Sequence, residues 1–229
     1  MTRSVLTTGF WSSVTLFDSL RGRLTLERGD EIVREWSRRL LEFVDVRVDV
    51  RGLENIDPAV TYVVMSNHQS LYDIPTIFTS IPLTIRMVAK AELFKVPIWS
   101  QAMRSAGFVP VHRGQREKAL QDLRMAQAAL GRKINIWIAP EGTRSRDGNL
   151  LPFKSGGFVL ATTAKAPILP ITIDGSRNIL PAKALQFSRG VDVHVTVGKP
   201  IQPSDFPKKE RVKLVEAVRS SIESGFVRT

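Results

Sequence analysis

Apolar positions divide the chain into two regimes. Leu6, Phe10, Val14, Phe17, Leu20 and Leu24 recur at steps of three and four, the spacing of one face of an α-helix. Val33, Trp36, Leu40 and Phe43 keep that period in a second helix expected from Asp30, with Arg34, Arg38 and Arg39 off its stripe. Beyond residue 44 the pattern changes to short apolar runs alternating with helical ones. Strands are expected at 45–51, 60–65, 85–89, 107–112, 134–139, 168–173 and 191–197, the last with one buried face carried by Val191, Val193, Val195 and Val197. Helices are expected near 73–80, 96–105, 115–130, 155–164 and 208–223. Gly131 stands where a left-handed cap would end the third of these. This order predicts an α/β fold, a mostly parallel mixed sheet flanked by helices, preceded by two N-terminal amphipathic helices. Pro200, Pro203 and Pro207 punctuate the approach to the last helix, and no interdomain linker is evident.

Charge narrows the partners. Thirty-three basic against 22 acidic residues leave a net +11, a surface that attracts nucleic acid, anionic lipid headgroups or an acidic carrier protein. Aromatic residues make up 7% and do not interleave with basic ones as a single-strand platform requires, which weakens the nucleic-acid reading. The two N-terminal helices set Trp, Phe and Leu against Arg, a pattern that suits a membrane interface. Packing on the core of the same domain gives the same pattern, and both readings stay open. With no run of 18 apolar residues, no transmembrane helix is expected, and no continuous h-region marks a signal peptide. The expected location is cytoplasmic. The absence of cysteine excludes disulfides and thiolate metal sites.

Candidate chemistry gathers at strand ends. Residues 61–65 form an apolar strand that runs into Ser66, Asn67 and His68, so His68 lies just past a strand's carboxyl end, where α/β folds bind ligands. A neutral imidazole takes a proton from an alcohol near pH 7 when a carboxylate fixes its tautomer. Asp73, five residues on, fills that role if His68 sits in the loop and Asp73 at the start of the helix. The plainer alternative makes Asp73 an N-cap before Ile74 and Pro75. A second apolar strand opens into Pro140, Glu141, Gly142, Thr143 and Arg144, where Gly142 permits close backbone approach and Arg144 offers a fork for phosphate or carboxylate. Arg113 and Lys90 close two further strands with a basic group at the same expected edge. Residues 168–173 carry no ionisable group and read as buried wall.

These segments occur in the order Asn-His-x4-Asp, Gly-x5-Arg, Pro-Glu-Gly-Thr-Arg and Leu-Pro-Ile, which resembles the glycerolipid acyltransferase family, bacterial 1-acylglycerol-3-phosphate acyltransferases above all. The resemblance covers roughly residues 45–200, with Lys90 to Phe94 and Pro152 to Gly156 adding to it. It implies an acyltransferase domain over 45–229 behind an N-terminal segment, 1–44, in contact with the membrane interface. It also implies transfer of a fatty acyl group from a thioester to the sn-2 hydroxyl of 1-acylglycerol 3-phosphate. His68 is then the general base, Asp73 its orienting carboxylate, and Arg113, Glu141, Gly142, Thr143, Arg144 and Lys90 the acceptor's ligands. No metal or resident cofactor is implied. The co-substrate is acyl-CoA or acyl-acyl carrier protein, and the partners are membrane lipids and not a specific nucleic acid. The expected place is the cytoplasmic face of a membrane, held peripherally. His112 departs from the family, which often has an acidic or aromatic residue there, and the N-terminus lacks the spanning helix of many relatives. Other readings are an acceptor that is glycerol 3-phosphate or another lysolipid, and a lipid- or nucleic-acid-binding protein without catalysis.

Overall fold

The computed structural model describes residues 2–112, 116–182, 184 and 186–227. Two helices open the chain, α1 (Thr2–Leu20) and α2 (Leu26–Phe43). Seven strands follow: β1 (Arg47–Arg51), β2 (Val63–Ser66), β3 (Ile85–Lys90), β4 (Val109–Val111), β5 (Asn135–Ile138), β6 (Ile168–Asp174) and β7 (Asp192–Val197). The helices between and after them are α3 (Asp73–Ser80), α4 (Trp99–Ser105), α5 (Arg116–Gly131), α6 (Gly156–Ala164) and α7 (Arg211–Ser224).

The strands form one sheet in the order β1-β7-β6-β2-β5-β3-β4. Strands β6, β2, β5, β3 and β4 run parallel, while β7 pairs antiparallel to β6 and parallel to β1. The mixed, mostly parallel α/β sheet expected from the sequence is therefore present. Its central strands are buried on both faces, β2 and all but the last residue of β6 included, and β7 alternates with Val193, Val195 and Val197 inward.

Each face of the sheet has its own core. Ile77 and Phe78 of α3 and Leu40 and Leu41 of α2 pack with Val64, Leu169 and Val195 on one side. Phe158 and Leu160 of α6, Leu130 of α5 and Leu214 and Val218 of α7 pack with Val63, Ile136 and Ile168 on the other. The connection leaving β2 thus goes to one face and the connection leaving the adjacent β5 to the opposite face. Their carboxyl ends diverge into a crevice, the switch point at which such sheets hold ligands. Gly157 sits under it: a Cβ there would come 2.9 Å from Met65 Cε, so a larger residue would push the end of the Met65 side chain aside.

The N-terminal helices divide their roles. Helix α2 joins the core, and Asp30 near its start makes an ion pair with Arg86, a β3 side chain that is almost wholly buried. Arg86 also donates to the carbonyl of Ala106, and Asp30 accepts from Thr84 Oγ1 at 2.5 Å. Helix α1 turns polar residues inward instead. Ser12, Thr15 and Asp18 are buried, Thr8 accepts a bond from Trp36 Nε1 at 3.1 Å, and Asp18 pairs with Arg28 at 2.8 Å. Its apolar residues Leu6, Phe10, Phe17 and Leu20 face outward. No helix among the described residues is long and apolar enough to cross a membrane.

Three local expectations are corrected. Helix α2 begins at Leu26 and not Asp30, because Thr25 caps it by accepting from Arg28 N at 3.2 Å. Gly131 is the last residue of α5, and the left-handed residue is Lys133 with φ 61°. The helix expected from residue 96 starts at Trp99, since Val96 is extended ahead of Pro97 and Ile98 has φ 64°. Removing one partner of the buried Asp30–Arg86 pair leaves an uncompensated charge, so Asp30→Ala should cost about 3–5 kcal/mol in urea unfolding. A loss below about 1 kcal/mol, the scale of an exposed pair, would contradict this account of α2's attachment.

Candidate active site

The loop after β2 is closed by one carboxylate oxygen. Asp73 Oδ2 lies 2.7 Å from His68 Nδ1, accepts from Gln69 N at 2.7 Å and from Ser70 N at 2.9 Å. Asp73 is the first residue of α3, with Tyr72 at the N-cap position, so its carboxylate folds back over the loop and does not cap the helix ahead. It is fully buried, and its other oxygen has no partner among the described residues. Three donors on one oxygen is the environment that a carboxylate anion accepts well. With Nδ1–H donating to it, the neutral imidazole carries its lone pair on Nε2. The His68 side chain keeps 19% of its surface exposed, enough for that nitrogen to meet a substrate.

Neighbouring strands hold the loop from both sides. Asn67 forms two bonds with Ile173 of β6, Nδ2 donating to its carbonyl at 2.7 Å and Oδ1 accepting its amide at 2.8 Å. This extends the β2–β6 pairing through a side chain. On the β5 side, Glu141 accepts from His68 N at 2.8 Å and from Leu151 N at 2.8 Å. Ser145 N donates to His68 O at 2.8 Å, so the segment from Glu141 to Ser145 grips both polar backbone groups of His68. Gln69 Nε2 reaches the carbonyl of Gly148 at 2.9 Å, and Ser70 Oγ that of Leu180 at 2.9 Å. Trp137 packs edge-on to the His68 ring at 6.5 Å while its Nε1 donates to Ser66 Oγ. Burial pushes the Glu141 carboxyl above its ordinary range, against the lowering effect of the Leu151 and His68 amides.

The remaining residues singled out in the sequence fall as follows. Gly142 adopts φ 69°, and a Cβ there would meet the Lys154 side chain at 2.9 Å from Nζ, so the lysine lies directly over the turn. Thr143 is exposed and Arg144 half-buried, and Arg144 forms no ion pair among the described residues. Lys90 is exposed at the end of β3, 3.8 Å from Glu92. Parallel pairing of β2, β5, β3 and β4 brings His68, Glu141, Lys90 and the end of β4 to one edge. Arg113 lies outside the described residues. His112 there forms a second histidine–carboxylate pair, its ring Nδ1 3.0 Å from Asp122, which also accepts the His112 amide. Both oxygens of Glu141, expected as a ligand of the acceptor, accept from main-chain amides. Among the described residues no cluster of His, Asp or Glu could hold a metal ion.

Known proteins give this geometry a context. A sequence model described as Acyltransferase matches residues 47–174. A chloroplastic 1-acyl-sn-glycerol-3-phosphate acyltransferase of Brassica napus is 35% identical over 69% of this chain and 46% of its own. The human alpha enzyme of the same name is 32% identical over 79% of this chain and 64% of its own. The chain thus spans between about half and two thirds of these curated relatives. The crystal structure of a 1-acyl-sn-glycerophosphate acyltransferase, PlsC, from Thermotoga maritima superposes with a TM-score of 0.78 at 28% identity, covering 100% of this chain and 98% of that one.

The raised Glu141 pKa has a sign that can be measured. Between the ordinary 4.5 and the raised value the folded protein holds more protons at this site than the unfolded chain. The group's contribution to stability is therefore complete below that range and is lost as pH rises through it. Glu141→Gln cannot titrate, so the stability of wild type minus that of the variant should shrink as pH rises above the ordinary 4.5 in urea unfolding. A difference that stays constant or widens with pH would refute the buried-carboxylate assignment.

Proposed function

The chain belongs to the acyltransferase family, and on that premise we propose that it transfers a fatty acyl group from a thioester to the sn-2 hydroxyl of 1-acylglycerol 3-phosphate, yielding phosphatidic acid. The observation that carries this reading is the His68–Asp73 pair at 2.7 Å, set at the switch point of the sheet. The similarity to proteins named for that reaction supports the choice of acceptor.

The chemistry needs one base and two anchored substrates. His68 Nε2 takes the proton of the acceptor hydroxyl as its oxygen attacks the thioester carbonyl. The new carbon–oxygen bond forms, the carbon–sulfur bond breaks, and the imidazolium returns its proton to the departing sulfur. Asp73 keeps Nδ1 protonated before the transfer and balances the imidazolium during it. General base catalysis contributes about 10²- to 10⁴-fold, and positioning contributes the remainder. Glu141 and Asn67 act as positioning residues, because they fix the backbone of the His68 loop. Arg144 and Lys90, with Arg113, are the ligands for the acceptor phosphate. The donor is acyl-CoA or acyl-acyl carrier protein, both anionic and suited to a chain of net charge +11.

Lipid substrates place the work at a bilayer surface, and α1 supplies the contact. A helix that buries Ser12, Thr15 and Asp18 while exposing Leu6, Phe10, Phe17 and Leu20 is inverted for water and suited to an interface. Residues 1–44 are on this reading the membrane-contact segment and 45–229 the acyltransferase domain, peripheral on the cytoplasmic face.

Purified protein supplied with labelled acyl thioester and a panel of lysophosphatidic acid, glycerol 3-phosphate and other lysolipids tests the proposal. Label should enter lysophosphatidic acid, and folded His68→Ala should lose at least about 10²-fold in kcat. Transfer to another acceptor alone would replace the substrate and keep the mechanism. Wild-type turnover in His68→Ala would remove the base, and silence across the panel would remove the activity.

A further inference from the structure

On the flank of the sheet away from Lys90, arginines from three elements line one open cavity of about 530 Å³. Arg3 comes from α1, Arg39 from α2 and Arg189 from the loop ahead of β7. Leu6, Phe10 and Phe43 give it an apolar lining. Arg3 is held with its guanidinium 5.2 Å from the centre of the Phe43 ring. Arg39 gives Nε to Glu35 at 2.7 Å, and its two terminal nitrogens have no partner among the described residues. The Arg189 side chain likewise has no hydrogen bond or ion pair among them. Glu42, the carboxylate in the lining, is taken by Arg38. The cavity is thus left with a surplus of unanswered planar donors.

Its position and lining select the anion. Strand β7 begins beside the end of β6, at the edge that carries His68. Ser4, next to Arg3, hydrogen-bonds the Tyr72 side chain, one residue before Asp73. The cavity therefore opens alongside the catalytic loop. Leu6 and Phe10, 67% and 61% exposed, run from the cavity onto the outward apolar face of α1. Forked donors match phosphate oxygens, and the adjoining apolar surface matches the first carbons of an acyl chain. A nucleic-acid backbone would answer the arginines and leave Leu6 and Phe10 in water.

We propose that this cavity is a second, non-catalytic site for the phosphate of a bilayer anionic phospholipid, whose binding sets the catalytic edge against the membrane. The inference rests on the reading of α1 as the membrane-facing helix. It gives the acyltransferase an orientation as well as an attachment, since apolar insertion of one helix leaves rotation about that helix free.

Full-length protein titrated calorimetrically with dihexanoylphosphatidylglycerol below its micelle concentration tests the site without a bilayer. Arg189→Gln should weaken binding about fivefold and Arg39→Gln with Arg189→Gln more than about 20-fold, from the contribution of a basic residue beside a lipid phosphate. Arg132→Gln, at the far edge of the sheet, and Arg144→Gln, at the catalytic loop, should leave it unchanged. Loss in Arg144→Gln with none in Arg189→Gln would assign the anion to the catalytic edge and overturn the proposal. Equal losses in Arg132→Gln and Arg189→Gln would mean diffuse attraction, and no binding by wild type would mean no site. Sedimentation with phosphatidylcholine vesicles, with and without phosphatidylglycerol, separates the underlying reading. Phe10→Ser should abolish attachment to both, whereas the arginine variants should lose only the preference for phosphatidylglycerol. Attachment unaffected by Phe10→Ser would overturn the membrane orientation even if the soluble lipid bound, and acyl transfer is scored apart from either.

Discussion

The loop after β2 depends on two carboxylates that do different work from different strands. Asp73 gathers the His68 ring and two amides onto a single oxygen, which closes the chain leaving β2 into a tight turn. Glu141, arriving from β5, takes the His68 amide, and Ser145 takes its carbonyl. A histidine with every backbone polar group fixed and one ring nitrogen tied has little freedom left except to present Nε2. That rigidity comes from the sheet, because β2 and β5 are adjacent while their outgoing chains part to opposite faces.

The same edge explains how the basic surface is laid out. Lys90 and Arg144 lie on the β5–β3 side of His68, and Arg3, Arg39 and Arg189 lie on the β1–β7 side. Between them α1 presents an apolar face to the exterior. Helix α2 gives this layer its anchor through Asp30 and the buried Arg86, so the N-terminal helices and the strand that ends in Lys90 are mechanically joined.

Much of the fold was legible from periodicity. The strands from β1 to β7 and the helices α3, α5, α6 and α7 appear where alternation and helical spacing put them, because buried central strands and one-sided helices leave strong patterns. What failed failed locally: Thr25 could cap a helix four residues earlier than the apolar stripe suggested, and Lys133 took the left-handed turn offered to Gly131. Helix α1 was legible as amphipathic, but no one-dimensional pattern says which face turns inward, and its polar face does. In the site, the spacing of His68 and Asp73 was sufficient once a loop was assumed. The part played by Glu141 was not, since its partners are main-chain amides 73 and 10 residues away, which residue type does not reveal. Arg86 and Asp30 were invisible for the same reason, being paired across 56 positions.

The central claim is that Asp73 holds His68 in the Nδ1-protonated form, leaving Nε2 to accept the substrate's proton. Long-range nitrogen–proton correlation NMR on protein labelled at histidine nitrogens reads this directly at a pH where the ring is neutral. The account predicts a protonated Nδ1 and an unprotonated Nε2 for His68, with the assignment made by its disappearance in His68→Ala. A neutral His68 carrying its proton on Nε2 would contradict it, because that ring has no lone pair to offer at the position facing the crevice.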